Sequence, residues 1–209
     1  MAKAIHVTKG LSLWALIAAF AFLWVPLGQH EFLLQHWMKV GTFMAPFLIL
    51  VAFSFSASEK SIDARSISLA LLVAYILHQF EEHWIDIYGN YYAFYDFNNN
   101  FILSNLGAPE SSVRPLTKEA IFTINTPLVW LVGMLAIIAS LKQLFPLCCM
   151  AGIIVVNGVV HILAAIATST YNPGLLTSIL LFVPAYFWFI RYLTRQLEDY
   201  KKLIIGSLG

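Results

Sequence analysis

Six apolar stretches, each long enough to cross a lipid bilayer as a helix, constrain the fold more than any other feature of this chain. A bilayer core of about 30 Å needs roughly 20 apolar residues in helical conformation. The predicted spans lie at residues 11–28, 38–56, 66–88, 118–140, 146–168 and 174–193. The sequence therefore predicts an all-α fold, a polytopic membrane helix bundle of about six transmembrane helices, formed as a single domain over residues 1–209.

The composition agrees with a membrane protein and excludes several soluble classes. Hydrophobic residues make up 60% of the chain and charged residues 11%, against roughly 45–50% and about 25% in soluble domains. Soluble enzymes and disordered tails are therefore excluded. Since the net charge is only +1, we expect no nucleic-acid partner. Cys148 and Cys149 are adjacent, a spacing at which a disulfide rarely forms.

The distribution of lysine and arginine predicts the orientation of the spans. Nine of the 12 basic residues fall on the side that carries both termini, namely Lys3, Lys9, Lys60, Arg65, Lys142, Arg191, Arg195, Lys201 and Lys202. The opposite side carries the other three, Lys39, Arg114 and Lys118. Because basic residues remain on the cytoplasmic side, we predict that the N- and C-termini are cytoplasmic, in a bacterial-type inner membrane or a plasma membrane.

One predicted connection, residues 89–117, is longer than the others and rich in tyrosine and phenylalanine. Loops of this length are often lids or binding segments. Aromatic side chains also favour the boundary between membrane and water. The sequence leaves both interpretations open, a substrate lid and an interfacial belt.

A cluster of ionisable residues interrupts the third predicted span. An ionisable side chain in mid-membrane costs about 2.5–3.5 kcal/mol on insertion scales, so each one requires a reason. His78, Glu81 and Glu82 lie at positions i, i+3 and i+4 and share one helical face, and His83 follows them. Imidazole and carboxylate groups are common ligands of divalent metal ions. The spacing therefore predicts a metal site in the outer half of the bundle.

Polar residues of three other spans fall at the same predicted depth. At about 1.5 Å of rise per residue, His161 and Asn157 of the fifth span reach the outer layer that contains the third-span cluster. Glu31 lies just beyond the outer end of the first span, and the fourth span enters the same layer with Glu119 and Asn125. The predicted site residues are the metal ligands His78, Glu81, Glu82 and His161, the catalytic carboxylates Glu82, Glu31 and Glu119, and the substrate-binding residues Asn125, Asn157 and Tyr171.

Three motifs carry a resemblance to a known family. Residues 78–82 read HQFEE, an HxxEE motif, and residues 157–161 read NGVVH, an NxxxH block. A YxPGxxT block follows at residues 171–177, and Pro184 lies in the sixth span. On these residues the chain resembles the HXXEE-domain integral membrane proteins over roughly residues 66–190. The resemblance implies a membrane enzyme with charged residues in its spans, and it names no reaction.

The leading hypothesis is a metal-dependent membrane enzyme that acts on a lipid or another apolar molecule. The cofactor is expected to be iron or zinc, as one or two divalent ions. Iron would indicate oxidation and zinc hydrolysis, and the number of carboxylates slightly favours oxidation. Two alternatives stay open, a cofactor-free acid–base enzyme of the isomerase or cyclase type and a proton- or cation-coupled transporter. The apolar inner half of the bundle counts against transport, and the unbalanced charge of the third span counts against a purely structural cluster.

Overall fold

The computed structural model describes residues 30–56, 64–105, 107, 109, 114–139 and 144–207. The regular elements in these parts of the chain are helices, and an isolated bridge joins Ile85 to Tyr91. The α-helices are, in chain order, α1 (His30–Ser56), α2 (Ala64–His83), α3 (Ala93–Asn105), α4 (Lys118–Thr123), α5 (Leu131–Ala139), α6 (Phe145–Thr168), α7 (Leu175–Thr177) and α8 (Val183–Ser207). Two segments are π-helical, π1 (Ile124–Trp130) and π2 (Ser178–Phe182). The predicted all-α fold is confirmed for the described residues.

Three stretches of the described chain are long and apolar enough to cross a membrane. They are Glu31–Ser54 in α1, Phe145–Thr168 in α6, and Leu175–Glu198, which runs through α7, π2 and α8. They correspond to the second, fifth and sixth predicted spans. By length and composition, the described part of the chain therefore has three candidate membrane-spanning helices.

The other three predicted spans differ from these in specific ways. The first, residues 11–28, lies outside the described residues. The third is shorter than predicted, since α2 ends at His83, and its charged residues lower its hydropathy. The fourth, residues 118–140, is divided by π1 into α4 and α5. Helix α1 begins at His30, eight positions before the predicted start at residue 38.

Helix α2 lies at the centre of the bundle and is buried around its whole circumference. It packs against α1, α5, α6 and α8. Its fully buried apolar side chains are Ile67, Leu69, Leu71, Leu72 and Ile76. A helix that is apolar on all sides is stable only when other elements surround it. The position of α2 therefore brings its C-terminal polar residues into the interior of the protein, namely His78, Gln79, Glu81, Glu82 and His83.

A proline accounts for the irregular helix between α4 and α5. Pro127 lies within π1, and proline has no N–H group with which to complete the i→i−4 hydrogen bond. Insertions of π-helical geometry absorb such an interruption and are frequent at functional sites. Two polar residues of π1, Asn125 and Thr126, are buried, and Asn125 contacts Tyr75 and Gln79 of α2.

The predicted long loop, residues 89–117, contains a helix, α3. Three phenylalanines recur at helical spacing along one face of it, namely Phe94, Phe97 and Phe101. Asn99, which is fully buried, ties α3 to the chain that follows. Its Nδ2 atom donates to the Leu116 carbonyl oxygen at 3.0 Å, and its Oδ1 atom accepts from the Leu116 N–H at 2.9 Å. The segment was predicted as a loop because its aromatic residues are also typical of an interfacial belt.

Candidate metal centre

Glu82 lies at the end of α2 among three buried imidazoles. Its Oε1 atom is 2.9 Å from His161 Nε2 and 3.3 Å from His78 Nε2. Its Oε2 atom is 3.2 Å from His83 Nε2. None of these four side chains is more than 4% exposed. Because water is largely excluded, the interactions between these groups are much stronger than they would be at the surface.

Thr177 fixes the orientation of the His78 ring. His78 Nδ1 lies 2.8 Å from the Thr177 hydroxyl oxygen. That hydroxyl donates its single proton to Glu81 Oε2 at 2.6 Å, so its oxygen accepts from His78 Nδ1–H. A neutral ring protonated on Nδ1 has a lone pair on Nε2. This Nε2 atom has no hydrogen-bond partner among the described residues, and it faces Glu82.

Asn172, in the turn between α6 and α7, fixes the His161 ring in the same way. Asn172 Nδ2 donates to the His161 carbonyl oxygen at 2.9 Å, which determines the orientation of the amide. Asn172 Oδ1 therefore faces His161 Nδ1 at 2.6 Å and accepts its proton. When the His161 ring is neutral, it therefore also presents an unprotonated Nε2 to Glu82.

With both rings neutral, two imidazole lone pairs and one carboxylate oxygen converge on the same point. Three acceptors in a buried place repel one another unless a proton or a metal ion lies between them. The ligand atoms of His78, Glu82 and His161, referred to below as the triad, all lie within 4.8 Å of one another. The triad could therefore hold a metal ion.

On the other side of Glu82, His83 borders a network of amides. Asn125 Nδ2 lies 3.4 Å from His83 Nε2. Asn125 Oδ1 accepts hydrogen bonds from Gln79 Nε2 at 3.0 Å and from the Tyr75 hydroxyl at 2.9 Å. These bonds hold the Asn125 amide in one orientation and satisfy its acceptor.

Glu81 is next to Glu82 in the chain and has a different kind of environment. Its carboxylate accepts from the Tyr171 hydroxyl at 2.8 Å and from the Leu176 N–H at 3.1 Å. It also accepts from the Thr177 N–H at 2.7 Å and the Thr177 hydroxyl at 2.6 Å. Burial and the adjacent Glu81 carboxylate raise the pKa of Tyr171, so its hydroxyl remains a donor at neutral pH. The charge of Glu81 is therefore stabilised by donors, and Glu81 lies outside the triad.

Gly174 allows the turn before α7 to cover the triad. A Cβ atom at this position would lie 2.6 Å from His161 Cε1, 2.8 Å from His78 Cε1 and 3.0 Å from Glu82 Cγ. Its φ of +98° is also in the left-handed region, which glycine adopts without steric cost. Both the conformation and the close approach require glycine here.

A cavity of about 630 Å³ borders the triad at His161. Residues of α3, π1 and α6 form its walls, which are mainly apolar. Phe94, at the start of α3, lines the cavity and also contacts the His83 and His161 rings. The volume lies within the range of about 300–1,000 Å³ that is usual for small-molecule sites.

Comparison with known protein families assigns the chain to one of them. The family described as proteins of unknown function with an HXXEE motif matches residues 69–189, which is more than half of the chain. The chain belongs to the HXXEE family. This confirms the resemblance identified from the sequence motifs. No curated protein and no solved structure matches the chain significantly.

The two glutamates of the HXXEE motif therefore have different partners in this protein. Glu82 belongs to the triad together with His78, the first residue of the motif. Glu81 contacts Tyr171 and Thr177, which are the first and last residues of the YxPGxxT block. The motif and the block lie against each other in the structure.

The other predicted site residues of this HXXEE protein fall into two groups. Asn125 lies beside His83, and Asn157 lines the cavity. Glu31 and Glu119 are exposed and lie outside the triad. Glu31 is in the first turn of α1, since that helix begins earlier than predicted, and Glu119 is in the first turn of α4. Their catalytic role stays a prediction.

Sequence reasoning missed the residues that orient the triad. Asn172, Gly174 and Thr177 lie in the YxPGxxT block, in which the sequence predicted a role only for Tyr171. His83 was included in the third-span cluster without a role. The available signal was the turn directly beyond the span that contains His161. In this turn a glycine, Gly174, follows two residues after Asn172.

Proposed function

We propose that this HXXEE protein is a metal-dependent membrane enzyme in which His78, Glu82 and His161 hold one divalent ion. The observation that carries the proposal is the orientation of the two imidazoles. Each ring is held through its Nδ1 atom, and each Nε2 atom faces the same carboxylate oxygen. Histidines that bind metals are usually held by an outer partner in this way.

The donor set and its spacing fit iron or zinc. Two imidazoles and one carboxylate bind non-haem iron(II) and catalytic zinc, and both leave coordination positions open. Metal–ligand distances of about 2.0–2.2 Å place neighbouring ligand atoms roughly 3 Å apart. The separations of 2.9 Å and 3.3 Å between Glu82 Oε1 and the two Nε2 atoms agree with this value.

The surrounding residues would orient the ligands and tune their charge. A bound ion would supply Lewis acidity and lower the pKa of a coordinated water. Thr177 connects the negative charge of Glu81 to His78 Nδ1–H, which makes the His78 ring a stronger metal ligand. Asn172 keeps the proton of His161 on Nδ1, so its Nε2 is free to bind.

The proposed substrate is a lipid or another apolar molecule, which would reach the triad through the adjoining cavity. Its walls are mainly apolar, and it borders His161. We favour an oxidation with iron over a hydrolysis with zinc. Hydrolysis consumes water, and the side chains that line the adjoining cavity are mainly apolar.

We also infer six spans with both termini cytoplasmic, from the lysine and arginine distribution. The triad lies at the end of α2 that leads into residues 84–117, a segment that this topology places on the outer side. The proposed site is therefore in the outer half of the membrane.

A cofactor-free acid–base enzyme, such as an isomerase or cyclase, is the second candidate. His161 Nε2 and Glu82 Oε1 are 2.9 Å apart, a distance at which one shared proton would also balance the pair. Such an enzyme would keep its activity after metal is removed.

Elemental analysis of the detergent-purified chain tests the proposal. We expect about one iron or zinc ion per chain, and almost none in His78→Ala or His161→Ala. Glu198→Gln is the control, because it removes an exposed carboxylate of α8 and should keep the metal content. If the wild-type chain, purified without chelators, contains no transition metal, the proposal is overturned and the acid–base enzyme becomes the better account.

A further inference from the structure

The cavity beside the triad is open toward the outer surface of the bundle. Among its lining side chains, Val156, Val160 and Phe101 are 65%, 57% and 40% exposed. Both valines belong to α6, which is apolar enough to cross a membrane. An apolar molecule in the bilayer can therefore enter the cavity from the side without passing through water.

A group of polar side chains lines the cavity near the triad. It comprises Tyr75, Asn157, His161 and Asn172. His161 and Asn172 are hydrogen-bonded to each other, and the Tyr75 hydroxyl donates to Asn125 Oδ1. Asn157 lies one helical turn before His161, on the same face of α6.

Asn157 offers an acceptor that has no partner. Its side chain interacts with the Tyr75 hydroxyl, whose proton already goes to Asn125 Oδ1 at 2.9 Å. Asn157 must therefore approach this hydroxyl with its NH₂ group. Its Oδ1 atom is buried and has no hydrogen-bond partner among the described residues. An unpaired buried acceptor is costly, so this position favours a ligand that brings a donor.

We propose that the cavity binds a neutral, apolar molecule that carries a hydroxyl group, and that this hydroxyl donates to Asn157 Oδ1. The inference rests on the proposed function and specifies its substrate class. A plain hydrocarbon would leave the acceptor unpaired. A carboxylate or phosphate would place negative charge next to Asn157 Oδ1. The described lining residues include no lysine or arginine that could balance this charge. The volume of about 630 Å³ suits a single chain or a small ring system.

Photoaffinity labelling with two matched probes tests this inference. The probes are a saturated twelve-carbon alcohol with a diazirine in its chain and the methyl ether of the same alcohol, which has no donor. Both are added to the full-length protein at a fixed detergent concentration, and labelled peptides are identified by mass spectrometry. We expect the labelled peptides to come from α3 and α6. The alcohol should half-saturate this labelling at a concentration roughly 5- to 150-fold lower than the ether does. Equal half-saturation, or labelling elsewhere, would overturn the proposal.

Three variants locate the effect. Asn157→Leu should remove the preference for the alcohol, so that both probes label at similar concentrations. Gly152→Leu places a side chain in the cavity, where a Cβ atom meets no neighbour within 4 Å, and should weaken labelling by both probes. Leu163→Phe changes an exposed residue that does not line the cavity and should leave labelling intact. An unchanged preference in Asn157→Leu, with the chain still folded by its thermal transition, would contradict the inference.

The metal content of the same samples separates this inference from the proposed function. Labelling does not require a metal ion. A preference for the alcohol in a chain without metal would support the cavity assignment and overturn the metal-dependent function. Full metal content with no preference would overturn the cavity assignment and leave the function standing.

Discussion

Glu81 and Glu82 are neighbours in the chain, and their carboxylates have opposite kinds of partners. Glu81 accepts hydrogen bonds from Tyr171, Leu176 and Thr177, all of which act as donors. Glu82 faces the imidazoles of the third-span cluster and of α6, and two of these present lone pairs to it when they are neutral. The first carboxylate is stabilised by its donors alone. The second still requires a proton or a metal ion between it and the neutral imidazoles.

The difference arises from helix geometry. Successive helical residues are about 100° apart around the axis, so neighbouring glutamates face different elements. Glu81 faces α7, whereas Glu82 faces α6. Thr177 joins the two regions, the surroundings of Glu81 and the triad, because its hydroxyl donates to Glu81 and accepts from His78. Glu82 is therefore the candidate metal ligand of the EE pair, and we propose Glu81 as a positioning residue that acts through Thr177.

Exchanging each glutamate for glutamine should separate the two roles, and the largest effect is expected at Glu82. Glu82→Gln removes the charge of the triad and should lose nearly all bound metal. Glu81→Gln should weaken metal binding by about 10- to 100-fold, as is usual for outer partners of metal ligands. Metal titration against a competing chelator measures both. A greater loss in Glu81→Gln than in Glu82→Gln would reverse the assignment.

Gly174→Ala should be the next most severe change, because its Cβ atom would clash with both triad imidazoles. Gly89→Ala is the matched control, since Gly89 also has a positive φ, +84°, and meets nothing within 4 Å. Both variants should lose about 1–2 kcal/mol of stability from the backbone conformation. Only Gly174→Ala should also lose its metal. Denaturant unfolding and elemental analysis distinguish the two, and equal metal content in both would contradict the close approach.

Thr177→Val removes the connection between the two regions and keeps the shape of the side chain. We expect metal binding to weaken by about 10- to 100-fold, because the His78 ring loses the partner of its Nδ1 atom. Thr168→Val is the control, since the Thr168 hydroxyl bonds only the Ala164 carbonyl oxygen and the Thr170 hydroxyl among the described residues. Chelator titration checks the pair. If the two variants bind metal equally well, Thr177 does not position His78.

Tyr171→Phe should have the smallest effect. It removes one of the four hydrogen bonds to Glu81 and leaves the three from Leu176 and Thr177. We expect a loss of about 1 kcal/mol in the free energy of unfolding and little change in metal content. Tyr88→Phe, at an exposed neighbour that packs edge-on against Tyr171, should leave both unchanged. A loss of metal in Tyr171→Phe would mean that the two regions are not separate.

Most of the helices were predictable because their signal is local. Continuous apolar sequence located α1, α6 and the last helix. Helix α3 was not predicted, since its phenylalanines are equally typical of an interfacial loop. The start of α1 was placed too late, and Glu31 was therefore assigned to the end of another span.

The site was predictable in part. Helical rise placed His161 at the depth of the HxxEE motif, and the structure brings it to 2.9 Å from Glu82. Helical spacing indicates that Glu81 and Glu82 differ in direction, but it could not identify the elements that each of them contacts. Their partners come from the turn before α7, whose path depends on the left-handed conformation of Gly174. That path is a property of the tertiary structure, and the sequence shows only a Pro-Gly pair.

X-ray absorption spectroscopy of the metal-loaded chain tests the central claim most directly, because it counts the imidazoles bound to the ion. The account predicts two imidazole ligands and at least one oxygen ligand in the wild-type chain, as in the triad. It predicts one imidazole in His161→Ala loaded at high metal concentration. A wild-type spectrum without imidazole ligands, or one that is the same in His161→Ala, would show that the triad is not the metal site.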